Sequence, residues 1–189
     1  HKLCGPTGIG FLWSKKEILE KIPPFFGGGE MIQDVYEETS TWAELPHKFE
    51  AGTPAIGEAI GLAEAIKYIN NIGLDNIKEY EKHITKYLFE KLELIENLEI
   101  IGPSPKIDPD RASLATFYVK GIHSNDIAEI LDSRGICIRS GHHCCQPLHR
   151  LIGINSTARV SMNFTTNKEE INIFIENLKE TISFLMLNS

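Results

Sequence analysis

After Asn97 the apolar pattern of this chain of 189 residues changes period, and that change constrains the fold more than any other feature. Upstream, Ile56, Ile60, Ala63 and Ile66 recur at helical spacing, as do Ile77, Tyr80, Ile84, Tyr87, Leu88 and Leu92, so both stripes are expected in a core. Thr53 predicts an N-cap with Pro54 at the first helical position, Gly73 a stop, and a second helix from about Asp75 to Glu93. Downstream, Leu98–Ile101 and Ala112–Val119 read as strands around a Pro-rich turn from Pro103 to Pro109. A helix capped by Ser124 runs to Ser133, Ile136–Arg139 and Thr157–Met162 read as strands joined by a loop, and Asn167-Lys168-Glu169-Glu170 caps a last helix through about Leu185. That order describes a compact α+β module with helices on one face of a small sheet. A domain boundary is expected near Asn97, dividing the chain into residues 1–97 and 98–189.

The first segment is less regular. Ser14-Lys15-Lys16-Glu17 has the pattern of a capping box opening a short helix toward Lys21, which Pro23-Pro24 stops. Gly27 to Leu45 reads as an extended or hairpin-like excursion, either plain loop or a segment that covers a site or bridges subunits. The opening His1-Lys2-Leu3-Cys4-Gly5-Pro6-Thr7-Gly8-Ile9-Gly10 has no initiator Met and no signal peptide, and suggests the C-terminal portion of a longer protein.

The bulk properties narrow the function. A hydrophobic content of 42% supports a real core, and no apolar run approaches the roughly 20 residues that cross a bilayer. With 19 basic against 26 acidic residues, the net charge of −7 disfavours a nucleic-acid surface. Four cysteines at positions 4, 137, 144 and 145 do not make the disulfide framework of a secreted domain, so a reducing compartment is expected. Cys4 and Cys137 are expected to be small buried hydrophobes.

Chemistry concentrates in Arg139-Ser140-Gly141-His142-His143-Cys144-Cys145-Gln146-Pro147. A glycine-initiated loop that sets a thiol beside two imidazoles and an arginine favours the thiolate, which is the nucleophile. The competing readings are zinc, a vicinal disulfide and a redox sensor. Four consecutive side chains converge poorly on one tetrahedron, whereas structural zinc sites use ligands spaced by two to four residues. Arg159 lies on an apolar strand where an unpaired guanidinium is costly, so it needs an anion, either a structural partner or a ligand carboxylate. Arg139 either serves the thiol or substrate or bonds to the loop. Thr53, at a helix start, either caps its helix or joins the free amides in holding a phosphate.

These segments resemble the group II, SufS-like cysteine desulfurases over nearly the whole chain. The resemblance rests on His1-Lys2 followed by Gly5-Pro6-Thr7-Gly8-Ile9-Gly10, on Pro23 through Ile32 with its three glycines, on Phe49-Glu50-Ala51-Gly52-Thr53-Pro54, and on Arg139 to Cys144. It implies an aspartate aminotransferase-like fold (fold-type I, α/β to α+β), in which residues 1–97 end the large cofactor-binding domain and 98–189 form the small C-terminal domain. It also implies pyridoxal 5'-phosphate as cofactor, held by Lys2 as a Schiff base, with His1, Gly52 and Thr53 at its phosphate, the last two acting across a homodimer. Cys144 would take sulfur from L-cysteine, leaving L-alanine and a persulfide for iron–sulfur cluster assembly, while Arg159 and Arg139 bind substrate.

By the same resemblance a sulfur acceptor of the SufE or SufU type would receive the persulfide, in the cytoplasm or in a plastid. L-selenocysteine is an alternative substrate, and a selenocysteine lyase, another lyase of the fold or an inactive fragment are the alternative functions. Cys145 departs from the family, where a small residue such as alanine usually follows the nucleophile.

Overall fold

The computed structural model describes residues 2–187, which form two compact units divided between Gly73 and Leu74. The break therefore falls before the second long helix and not near Asn97. The reason is packing: that helix, placed by its stripe in the first segment, contributes Ile84, Leu88, Phe89 and Leu92 to the core of the second unit.

In the first unit, α1 (Lys16–Lys21) is followed by a hairpin of β1 (Ile32–Val35) and β2 (Ser40–Trp42), then by a 3-10 turn at His47–Phe49 and by α2 (Ile56–Ile72). The hairpin confirms an extended excursion between Gly27 and Leu45. Two expected caps are absent. The N-cap of α1 is Lys15 and not Ser14, and that of α2 is Ala55, neither with a side-chain hydrogen bond. Thr53 is displaced from the cap because Gly52, at φ +76°, turns the chain and donates its N–H to the Gly29 carbonyl at 2.9 Å, so the segment before Ala55 belongs to the loop. Gly73, at φ +92°, ends α2 as expected. The stripe of α2 is not core: Ile56, Ile60 and Ala63 are exposed and Ile69 is the buried residue. A hairpin and one short helix offer no layer to cover that stripe.

The second unit contains α3 (Leu74–Leu92), β3 (Leu98–Ile101), β4 (Leu114–Val119), α4 (Ser124–Asp132), β5 (Arg139–Gly141), α5 (Gln146–Ile152), β6 (Thr157–Ser161) and α6 (Lys168–Leu187). Its sheet has the order β3-β4-β6-β5, with every neighbouring pair antiparallel. Along β4 burial alternates, as the two-residue period of a strand requires, and Ala115, Phe117 and Val119 face α3, α4 and α6. The opposite parity (Leu114, Thr116, and on β6 Thr157 and Arg159) looks toward α5 and the loop before it. This is the α+β module expected from the pattern, with its helical layer on one face and the reactive loop on the other.

Local chemistry accounts for the details. Asn167 and Glu170 form a reciprocal capping box at α6, the Glu170 N–H donating to Asn167 Oδ1 at 3.0 Å and the Asn167 N–H to Glu170 Oε2 at 2.8 Å. At α4 the cap is His123, whose Nδ1 accepts from the Asn125 N–H at 3.2 Å, because Ser124 turns inward to Ser156 Oγ at 2.9 Å. Residues 136–138, expected as strand, only approach the sheet. Gly135 at φ +77° and the Ile136 N–H bond to Leu131 close the helix end, so pairing with β6 starts at Arg139. Cys4 and Cys137, expected to be buried, are exposed. Among the described residues no helix is long and apolar enough to cross a membrane.

Candidate active site

Strand β5 delivers the reactive loop. Gly141 turns the chain at φ +109°, and His143 and Cys144 follow at φ +52° and +61° in the left-handed region. For residues with a Cβ that conformation costs about 1–2 kcal/mol each, so two in succession persist only where the surroundings enforce them. The turn closes with the Cys145 N–H on the His142 carbonyl at 2.9 Å, and α5 starts directly after it with Pro147 in its first turn. The expected loop is thus shorter than it looks in the sequence, because Gln146–Ile152 is helical and ends at Gly153 with φ +72°.

The two adjacent thiols point into different environments. Cys144 is exposed, and Arg139 Nη2 donates to its Sγ at 3.5 Å, a contact that suits a thiolate acceptor. Cys145 is half-buried and lines a largely apolar cavity of about 230 Å3 with Leu114, Leu148, Ile152, Thr157 and Arg159. Only Cys144 is placed to meet a ligand from solvent beside a cation. Among the described residues no three His, Cys, Asp or Glu side chains gather as a metal site.

The sheet face beneath the loop carries an excess of donors. Arg139 and Arg159 are paired across β5 and β6, an arrangement of like charges that is unfavourable without an anion. Arg159 Nε is buried and makes no hydrogen bond, and neither ring nitrogen of His143 makes a well-formed one. Burial first, then the Arg159 and Arg139 guanidiniums, hold the His143 imidazole below its ordinary value, against a weaker opposing pull from the Thr157 backbone. The face thus carries two facing guanidiniums with an unpartnered buried Nε on one of them.

The depressed His143 has a consequence for stability. The folded state binds its proton less well than the unfolded chain, so its share of stability is fully present above the unfolded pKa of about 6.5 and is lost as pH falls through the lower folded value. A His143→Gln variant is expected to lose less stability than the parent between pH 7.5 and pH 5. Denaturant titration at both pH values reads this, and equal losses would refute it.

His149 was not singled out by the sequence pattern. It is 4% exposed, with Nδ1 3.1 Å from the Cys145 carbonyl oxygen and Nε2 3.0 Å from Thr157 Oγ1. A lone histidine four residues beyond a cysteine in an expected loop carries no signal until the helix is known.

In the first unit Lys2 is exposed in a turn, and His1 lies outside the described residues. The segment after Lys2 packs on α2: a Cβ at Gly5 would come within 2.9 Å of Leu62 Cδ1, and one on Gly61 within 3.1 Å of Pro6 Cγ. A side chain at either glycine would make its neighbour shift. Gly52 is half-buried, and Thr53 is exposed with its hydroxyl free of any cap.

The sequence profile described as Aminotransferase class-V matches residues 1–174. The chain belongs to the class-V aminotransferase family. Of its relatives, this class-V chain is 55% identical over 184 residues to a probable cysteine desulfurase of Synechocystis, covering 97% of the chain and 44% of the relative. It is 48% identical, with the same coverage, to one of Staphylococcus aureus. Among solved structures it superposes on the cysteine desulfurase CsdA of Escherichia coli with a TM-score of 0.88 at 29% identity, covering 97% of this chain and 45% of that one. Apo cysteine desulfurase from Thermococcus onnurineus gives 0.87 at 39% identity, covering 96% and 44%. The fold is thus the aminotransferase-like fold of these enzymes, and the class-V chain spans less than half the length of the relatives it matches.

Proposed function

We propose that the protein containing this chain is a pyridoxal-phosphate-dependent cysteine desulfurase of group II. The observation that carries the reading is Cys144 itself, an exposed thiol on a strained two-residue left-handed turn with Arg139 at 3.5 Å, in a chain whose relatives bear that name. The residues of the first unit fit the cofactor. The N-terminus of α2 has no side-chain acceptor for its first amides, the Thr53 hydroxyl is free of any cap, and together they suit a phosphate, although Glu58 lies in the same helical turn. Lys2, His1, Gly52 and Thr53 would hold the group. Bound pyridoxal phosphate supplies an electron sink for the substrate's amino acid carbon.

The chain's own residues do the rest. Arg159, with its buried unpartnered Nε, binds the α-carboxylate of L-cysteine, whose negative charge offsets the repulsion between Arg159 and Arg139. The Lys2 amine moves the proton between substrate carbons. The Cys144 thiolate attacks the substrate sulfur: the Sγ–S bond forms as the substrate Cβ–S bond breaks, and the carbon fragment takes up a proton to leave as L-alanine. Cys144 then carries a persulfide for a sulfur-acceptor protein of the SufE or SufU type and so for iron–sulfur cluster assembly.

We further assign the protein a homodimer, in which Gly52 and Thr53 serve the neighbouring subunit's cofactor phosphate, and a reducing compartment, cytoplasm or plastid. In the full-length protein, L-cysteine is expected to give alanine and protein-bound sulfur in equal amounts under single turnover. An Arg159→Gln variant should raise KM for L-cysteine about 10-fold or more, the cost of one charge-assisted pair. An unchanged KM would remove Arg159 from the carboxylate site, and absence of alanine from the parent protein would sink the desulfurase reading.

A further inference from the structure

We propose that His149 is a positioning residue that clamps the strained Cys144 turn to strand β6, and that its loss slows sulfur capture without affecting substrate binding. This rests on the desulfurase reading for its kinetic arm alone.

The turn holds His143 and Cys144 in the left-handed region, so something must oppose its relaxation. His149 is a buried polar group under it. Its ring lies 5.3 Å from that of His142 and 6.1 Å from that of His143, centre to centre, so it supports both histidines of the turn. A carbonyl oxygen can only accept, so the 3.1 Å contact to Cys145 is a hydrogen bond only with the proton on Nδ1. In the neutral ring Nε2 is then an acceptor. The Thr157 hydroxyl has one proton and lies 3.0 Å from Nε2 and 3.5 Å from the Gly141 carbonyl, and the shorter contact takes it.

Thr157 is itself fully buried and is the strand partner of Gly141. The chain of contacts therefore runs from the carbonyl that ends the turn, through His149, to the β6 residue that faces its beginning. Both ends of the turn are fixed to one strand. Buried groups bonded in this way are costly to leave unsatisfied, which is what makes the clamp rigid. Cys144 Sγ stays beside Arg139 Nη2 only while the turn keeps its shape.

The test uses the full-length protein loaded with pyridoxal phosphate. His149→Phe keeps a ring of similar size and removes both nitrogens. It is expected to lower kcat for alanine formation by about 10- to 100-fold, the usual cost of a small misplacement, with KM for L-cysteine and the cofactor absorbance unchanged. Without substrate, alkylation of Cys144 by iodoacetamide, read by peptide mass spectrometry, should slow several-fold. Thr157→Val should do the same, and the double variant should be no worse than the poorer single, because both break one contact chain. His149→Asn, which restores an amide nitrogen near the position of Nδ1, should recover part of the alkylation rate.

A folded His149→Phe protein with parental kcat and alkylation rate would overturn the proposal, as would strictly additive losses. Should that variant not fold, Thr157→Val alone decides: slowed alkylation supports the clamp and an unchanged rate overturns it. If the parent protein makes no alanine, the desulfurase reading falls while the alkylation series still decides the clamp.

Discussion

Cys144→Ala is expected to abolish alanine formation from L-cysteine, by at least about 10^3-fold as for other removed nucleophiles, while the bound cofactor's visible absorbance persists. Cys145→Ala should keep most of the activity. The two thiols are adjacent in sequence, but the left-handed turn exposes one beside Arg139 and sends the other into the cavity lined by Leu148 and Ile152. Mass spectrometry after a single turnover should accordingly find one added sulfur on Cys144. Sulfur found mainly on Cys145, or an inactive Cys145→Ala beside an active Cys144→Ala, would reverse the assignment. If Cys144→Ala still releases alanine from L-cysteine, a selenocysteine lyase or another lyase of the fold becomes the better description, since carbon–sulfur cleavage would then not need this thiol.

Lys2→Ala should have the second largest effect. On the proposed reading, loss of the amine would remove both covalent retention of the cofactor and the proton carrier, so the visible absorbance should vanish and activity fall by at least about 10^2- to 10^4-fold, the span of general acid–base contributions. Lys15→Ala and Lys16→Ala are the controls, because they too lie on the exposed surface of the first unit. An unchanged spectrum in Lys2→Ala would move the attachment to another lysine. Pyridoxal phosphate retained only through phosphate contacts at Gly52 and Thr53 would instead show weak, dialysable binding.

Much of the second unit was legible in the amino-acid sequence. The capping box at Asn167, the strand Leu98–Ile101 and the alternating Leu114–Val119 were read nearly to the residue, because each is encoded by a local rule: a reciprocal side-chain cap or a two-residue apolar period. The candidate segment was picked out on residue types alone, since a thiol among imidazoles and an arginine needs no contact map.

The misplaced features share a different origin. The domain break moved from Asn97 to Gly73 because a helical stripe says that a face is apolar and not which layer will cover it. The same ambiguity left Ile56 and Ile60 exposed where core was expected. Ser124 and Thr53 lost their caps to competing backbone and side-chain bonds from distant residues, Ser156 in one case and Gly29 in the other.

The sequence by itself determined the residue types and local periods: an α+β module, a loop that sets thiols among imidazoles and an arginine, and a second arginine on an apolar strand. Tertiary structure alone decided which of two neighbouring thiols faces solvent, that Arg159 and Arg139 stand opposite each other, and that His149 reaches Thr157 beneath the turn. Those outcomes depend on the register of β5 against β6 and on two positive φ angles at His143 and Cys144, neither of which a window of neighbouring residues encodes.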